Sequence, residues 1–247
     1  MANWSDPQQG TRTLGTVDVG TGAYDAGLRR YMLSVYNYMA SGVLLTGLVA
    51  MFFSWGGMDS SAAHIMLGGG ILKYVIMFAP LGFILAMNFG LQRMSTGKLQ
   101  AVFWAFAVTM GLSLSTIFLV YSGTSIAQAF FASAGAFAGL SLFGYTTKRN
   151  LSAMGTFMVM GLIGLIVASL LNLWFQSGAF AMVISLVGVV IFAGLTAWDT
   201  QRTKSLYAQV AGTDMEQRVV IMSATSLYLD FINMFLFLLR IFGSQRN

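Results

Sequence analysis

Beyond residue 30, long apolar runs alternate with short polar stretches along almost the whole chain. A transmembrane helix needs about 20 apolar residues to cross about 30 Å of hydrocarbon, because each residue adds about 1.5 Å. Seven runs approach that length, so we predict an all-α integral membrane protein built as a bundle of seven transmembrane helices. The predicted spans lie near residues 31–55, 70–91, 100–121, 124–145, 153–174, 179–199 and 221–242.

The first 30 residues are polar and show no apolar periodicity, so we expect residues 1–30 to form a flexible cytoplasmic tail and residues 31–247 to form the membrane domain. A cleavable signal peptide would place a short apolar stretch directly after a basic start. Here the apolar sequence begins only near Tyr31 and is long enough to span. We therefore expect the first helix to act as its own insertion signal.

Ten of the 13 basic residues fall in alternate connections, which predicts the orientation of the bundle. They precede span 1 and lie between spans 2 and 3, 4 and 5, and 6 and 7: Arg12, Arg29, Arg30, Arg93, Lys98, Lys148, Arg149, Arg202, Lys204 and Arg218. The positive-inside rule then places the N-terminus in the cytoplasm of a bacterial inner (plasma) membrane. Seven full crossings would put Arg246 outside, against the rule, so the side of the C-terminus stays open.

The amino-acid composition excludes several classes of protein and of chemical site. Hydrophobic residues make up 57% of the chain and charged residues 9%, too few to cover a water-facing surface. The chain has no cysteine and one histidine, His64, so disulfides, thiol nucleophiles and clusters of His or Cys metal ligands are excluded. Serine–histidine chemistry within the membrane would need a buried histidine, and His64 lies in a predicted loop. The net charge of +5 follows from topology signals rather than from nucleic-acid binding, and we expect neither an enzyme nor a bound cofactor.

Two carboxylates, Asp199 and Asp230, fall in or at the edge of apolar spans. Burying a charge at membrane depth costs several kcal/mol by insertion scales, so such residues usually face a cavity, a partner or an ion path. Spans 6 and 7 run antiparallel and join through a predicted cytoplasmic stretch of about 20 residues. Asp230 lies about 13 Å along the last helix if that helix begins near Ile221, and the sequence permits the two carboxylates to meet.

The last span also carries a polar stripe. Its members occupy an arc of roughly 100° on one helix face and are Ser223, Ser226, Asp230, Asn233 and Arg240. The opposite side is composed of Phe, Leu, Met and Ile. We therefore predict that the last helix packs inside the bundle, with the stripe along an interior path.

Two carboxylates in contact cannot both ionise cheaply, so they share a proton and act as a pH switch. Protonated, the pair latches two helices; deprotonated, it repels and offers oxygens suited to Ca²⁺, with Asn233, Ser226 or Thr196 and water completing the shell. A structural interpretation also stands, in which Asp199 is a cap or ion-pair partner of Arg202 and Asp230 is a satisfied polar anchor.

The segment Ser226-Leu227-Tyr228-Leu229-Asp230-Phe231-Ile232-Asn233-Met234-Phe235, followed by Leu238-Leu239-Arg240, resembles the C-terminal signature of the Bax inhibitor-1 family. The stretch Trp198-Asp199-Thr200-Gln201 is similar to the motif that ends the sixth helix of that family. The resemblance implies a seven-helix fold with a central last helix and a pH-sensitive Ca²⁺ leak controlled by an aspartate pair, matched here by Asp199 and Asp230. It also implies a counter-ion on the second helix, matched by Arg93.

Two hypotheses about function follow. The first is a pH-gated leak for Ca²⁺ or another cation, in which the two aspartates sense pH and Arg93 modulates them. The second is a regulatory membrane protein that binds a membrane-bound AAA protease, as the resemblance implies for some bacterial members, with the aspartates only stabilising helices. A polar tail of about 30 residues suits the second hypothesis, because an unfoldase needs a loose segment to grip.

Overall fold

The computed structural model describes residues 19–68 and 70–244. The helices of this part are α1 (Val19–Phe53), α2 (Leu72–Gly90), α3 (Thr96–Leu114), α4 (Thr116–Val120), α5 (Gly123–Thr146), α6 (Ser152–Phe175), α7 (Gly178–Val210) and α8 (Glu216–Phe242). Helices α3 and α4 form one span, Thr96–Val120. The connection between α1 and α2 contains a 3₁₀ turn at Gly57–Asp59 and a π turn at Ala63–Leu67, and exposed His64 lies in the second of these.

Seven helical segments are long and apolar enough to cross a membrane, which confirms the predicted fold class. Their outer surfaces carry large exposed apolar side chains, such as Leu173 and Trp174 at the end of α6. Such a surface is unfavourable in water but favourable in contact with lipid. The protein is therefore a multi-pass membrane protein.

Helix α8 lies at the centre of the bundle, as the polar stripe predicted. In its most apolar stretch 72% of the residues are buried, against 11% in α6 and 17% in α2. It packs against α1, α3, α5 and α7. Because α8 is enclosed on most sides, its polar side chains must find partners within the protein.

Two helix ends differ from the sequence prediction. Helix α1 begins at Val19, so residues 19–30 of the expected tail are helical, while residues 1–18 lie outside the described part. Helix α7 continues to Val210, which shortens the predicted connection of about 20 residues to the turn 211–215. The two extensions support each other, because Tyr207 near the end of α7 packs against Tyr24 and Tyr31 of α1, with ring centroids 5.3 and 5.2 Å away.

Candidate functional site

Helices α7 and α8 form an antiparallel pair whose register brings the two aspartates to one level. Phe192 of α7 stacks on Phe237 of α8 with ring centroids 6.0 Å apart. Moving seven residues forward along α7 from Phe192 reaches Asp199, and moving seven residues back along α8 from Phe237 reaches Asp230. The aromatic contact and the aspartate contact therefore belong to the same helix pairing.

The structure places the carboxyl groups of Asp199 and Asp230 within hydrogen-bonding reach of each other. Asp230 is only 4% exposed, and Asp199 is half-buried. Two ionised carboxylates offer acceptors only, so a hydrogen bond between them requires a proton on one of the two. A pair in this arrangement can share a single proton.

The hydrogen bonding of Asp230 is incomplete. Its Oδ2 atom is buried and accepts no hydrogen bond from any residue in the described part of the chain. A satisfied structural anchor would have its acceptors filled, because an unpaired buried acceptor costs about 1–3 kcal/mol. The unpaired oxygen argues against Asp230 as a satisfied polar anchor, and that interpretation stays a hypothesis.

The cation whose charge acts on Asp199 is Arg202, one turn further along α7. Arg202 is exposed, and its guanidinium lies over the ring of Trp198, 5.4 Å from the ring centroid. Arg93, the counter-ion that the resemblance implied, lies exposed in the turn after α2. Its role as a modulator stays a prediction.

Two glycines allow neighbouring helices to approach α7 beside Asp199. A side chain at Gly144 of α5 would collide with the backbone carbonyl oxygen of Ala197. A side chain at Gly155 of α6 would collide with the ring of Trp198. Close contacts with α5 and α6 thus position the stretch of α7 that precedes Asp199.

The other predicted stripe residues divide between the interior and an outer crevice. Ser223 is buried beside the hydroxyl group of Tyr31, and Ser226 is half-buried. Asn233 donates from Nδ2 to the carbonyl oxygen of Leu229 at 2.8 Å, and buried Thr196 donates to the carbonyl oxygen of Phe192 at 2.7 Å.

The outer crevice has a volume of about 490 Å³ and lies between α6, α7 and α8. Asn233 and exposed Arg240 line it from α8, and Ser169 and Asn172 line it from α6. The stripe therefore runs from the aspartate pair toward this crevice, and Arg240 lies about 15 Å beyond Asp230 along the helix.

Two sets of hydrogen bonds between hydroxyl groups of different helices were not predicted from the sequence. The hydroxyl of Ser141 lies 3.0 Å from that of Tyr36 and 2.8 Å from that of Thr200, which joins α1, α5 and α7 immediately next to Asp199. On another side of α8, the Tyr228 hydroxyl lies 2.7 Å from that of Thr46 in α1. Hydroxyls inside apolar spans were the available signal, but their partners lie 59 to 182 residues away along the chain.

The predicted Ca²⁺ site at Asp199 and Asp230 stays a prediction, and it would need oxygens beyond those of the two carboxylates. In the described ranges, no group of three or more Asp, Glu, His or Cys side chains lies close enough to hold a metal. Two carboxylates supply at most four oxygens, whereas Ca²⁺ takes six to eight.

Comparison with known proteins covers nearly the whole chain. The model of a family described as "Inhibitor of apoptosis-promoting Bax1" matches residues 28–247. An uncharacterized protein of Rickettsia prowazekii is 46% identical over 237 residues, which is 96% of this chain and 98% of the relative. Inner membrane protein YbhL of Escherichia coli is 41% identical over 224 residues, which is 90% of this chain and 94% of the relative.

Proposed function

This chain belongs to the Bax inhibitor-1 family, and we propose that it is a pH-sensitive leak for Ca²⁺ or another small cation across the inner membrane. Asp199 and Asp230 would be its sensor and gate. The observation that carries the proposal is the contact of these two carboxyl groups between α7 and the central helix α8.

A shared proton closes the gate in this proposal. With the proton in place, the pair bridges α7 and α8; without it, two negative charges face each other. Two unit charges about 4 Å apart repel by about 4 kcal/mol at an effective dielectric constant of about 20. That energy shifts a two-state equilibrium by about a thousandfold, and we expect the shift to favour an open arrangement of the two helices.

The sign of the pH dependence follows. The latched state binds one proton more than the open state, so it is favoured at low pH and lost as pH rises. Cation flux should therefore increase with pH. The outer crevice beside Asn233 and Arg240 supports a route from the pair to one membrane face, and the hydroxyls of Ser141 and Thr200 offer polar groups on the other side of Asp199.

The test is Ca²⁺ flux into proteoliposomes between about pH 6 and 8. Wild-type flux should rise with pH. Asp199→Asn and Asp230→Asn should each give low, pH-independent flux, because an amide can donate to the remaining carboxylate at every pH. The control is Asp214→Asn, which removes an exposed carboxylate in the turn between α7 and α8 and should behave as wild type. The proposal would be contradicted if the wild-type protein shows no flux. It would also be contradicted if both variants show the same flux as wild type.

Regulation of a membrane-bound AAA protease stays a prediction of the family resemblance. The segment that would serve as its handle, residues 1–18, lies outside the described part. Because α1 begins at Val19, a deletion of residues 2–18 leaves the bundle complete. Protein turnover that is unaffected by this deletion would argue against a protease handle in that segment.

A further inference from the structure

A basic crevice of about 390 Å³ lies where the connection between α5 and α6 meets the last turns of α7. Three cationic side chains line it: Lys148, Arg149 and Arg202. The other lining residues are Asn150, Ser152, Trp198, Gln201 and Ser205, so the lining contains no acidic side chain. The crevice is thus built to receive an anion.

Hydrogen bonds hold the walls of the basic crevice in place. The side chain of Gln201 accepts from the backbone N–H of Leu151 at 2.8 Å and donates to the carbonyl oxygen of Arg149 at 2.8 Å. Lys204 donates to the carbonyl oxygen of Tyr145, also at 2.8 Å. These bonds fasten the α5–α6 connection to α7, so the backbone that carries Lys148 and Arg149 is positioned before any ligand arrives.

The basic crevice lies at headgroup depth. Helix α5 ends at Thr146 and α6 begins at Ser152, so we place the connection at the membrane–water boundary. Two aromatic side chains, Tyr145 and Trp198, sit beside the cations Lys204 and Arg202, with ring centroids 4.8 and 5.4 Å from the charged groups. Aromatic residues concentrate at this boundary in membrane proteins, and by the positive-inside rule the boundary is the predicted cytoplasmic one.

An apolar groove of about 580 Å³ runs along the same two helices inside the membrane. Phe157 and Gly161 line it from α6, and Val190 and Ile191 line it from α7. Phe157 lies five residues beyond Ser152, or about 8 Å deeper into the bilayer. A cationic crevice and an apolar groove therefore lie one after the other along the same helix pair.

We propose that this combined surface binds an anionic phospholipid of the cytoplasmic leaflet, with its phosphate headgroup in the basic crevice and an acyl chain in the apolar groove. A free phosphate ion would use the crevice alone, whereas a phospholipid uses both parts. Basic pockets between helices at this face are suited to anionic headgroups. Each Lys or Arg near the surface strengthens the binding of an anionic lipid by about fivefold.

The test is native mass spectrometry of the full chain with phosphatidylglycerol or phosphatidylcholine of identical acyl chains. Wild type should bind phosphatidylglycerol more tightly, and R149Q/R202Q should bind it about 30-fold more weakly. The matched control is R30Q/K98Q, which removes two exposed cations from the same predicted face outside the crevice. Its phosphatidylglycerol affinity should stay at the wild-type value.

A second variant tests the groove. Gly164 lines the groove and has open space where a side chain would begin, so Gly164→Phe fills the groove without a clash at Cβ. It should weaken phosphatidylglycerol binding while leaving the thermal unfolding of the helices unchanged. Equal affinity for the two lipids, unaltered binding in R149Q/R202Q, unaltered binding in Gly164→Phe, or full displacement of phosphatidylglycerol by inorganic phosphate would each overturn the proposal.

Discussion

Two buried polar side chains of α8, Tyr228 and Asp230, differ in how completely they are hydrogen-bonded. Being two residues apart, they point to different sides of the central helix. The Tyr228 hydroxyl lies 2.7 Å from that of Thr46, whose own hydroxyl donates to the carbonyl oxygen of Ala107 at 2.8 Å. Asp230 instead meets a second carboxyl group, and one of its oxygens has no partner in the described part.

The comparison shows that burial alone does not identify a functional polar group. The hydroxyl chain joins α8 to α1 and α3 with its donors and acceptors matched, and hydroxyls carry no charge between pH 6 and 8. It therefore holds one arrangement at every pH. In the proposed mechanism the carboxyl pair changes its charge when it loses its proton, so we expect the α7 side of α8 to respond to pH.

The largest expected effect is on pH-dependent stability. The folded pair holds a proton that unfolded aspartates release, so wild-type stability should fall as pH rises from 6 to 8, by at most about 2.7 kcal/mol. Asp230→Asn should remove this dependence. The measurement is unfolding by a denaturing detergent at each pH. Equal slopes in wild type and Asp230→Asn would show that the pair holds no proton in this range.

A smaller effect is expected from packing beside Asp199. Gly144→Ala pushes α5 away from the backbone of α7 at Ala197 and should destabilise the bundle by about 1–3 kcal/mol. Because Ala197 lies two residues before Asp199, we expect the pH dependence of flux to weaken too. Gly139→Ala, on an exposed part of the same helix with open space at Cβ, is the control and should be neutral or slightly stabilising.

Tyr228→Phe tests the other side of α8. It removes one hydroxyl while Thr46 keeps its bond to Ala107, so we expect a loss of about 1 kcal/mol in the free energy of unfolding. The change of flux between pH 6 and 8 should equal that of wild type. A changed pH dependence in this variant would show that both sides of the helix take part in gating.

The smallest expected effect is a shift in the pH at which flux rises, and it distinguishes the role of Arg202 from that of Arg93. Arg202 acts on Asp199 from an exposed position, so Arg202→Gln should make flux rise at a slightly higher pH, because the carboxyl pair loses a nearby positive charge. Arg93→Gln should shift the flux profile less. Flux profiles of both variants in the same proteoliposomes decide between them, and a larger shift for Arg93→Gln would favour the counter-ion that the family resemblance implied.

The spans, the central position of α8 and the candidate aspartates were all predictable, because apolar length and polar spacing on a helix are local properties of the sequence. The start of α1 at Val19 and the end of α7 at Val210 were not predictable. The two helical extensions pack against each other through Tyr207 and the tyrosines of α1, and this contact between distant parts of the chain is not visible in the local sequence. The hydrogen-bond partners of Ser141 and Tyr228 could not be predicted from the sequence either, because they depend on how helices that are distant along the chain pack together.

The central claim is that Asp199 and Asp230 share one proton whose loss opens the bundle. Infrared difference spectroscopy of the reconstituted protein, titrated from pH 6 to 8, observes the carbonyl stretch of a protonated carboxyl group directly. We predict that one protonated carboxyl disappears over this range in wild type and that Asp230→Asn abolishes the change. A pair already ionised at pH 6, or a titration that persists in Asp230→Asn, would contradict the account.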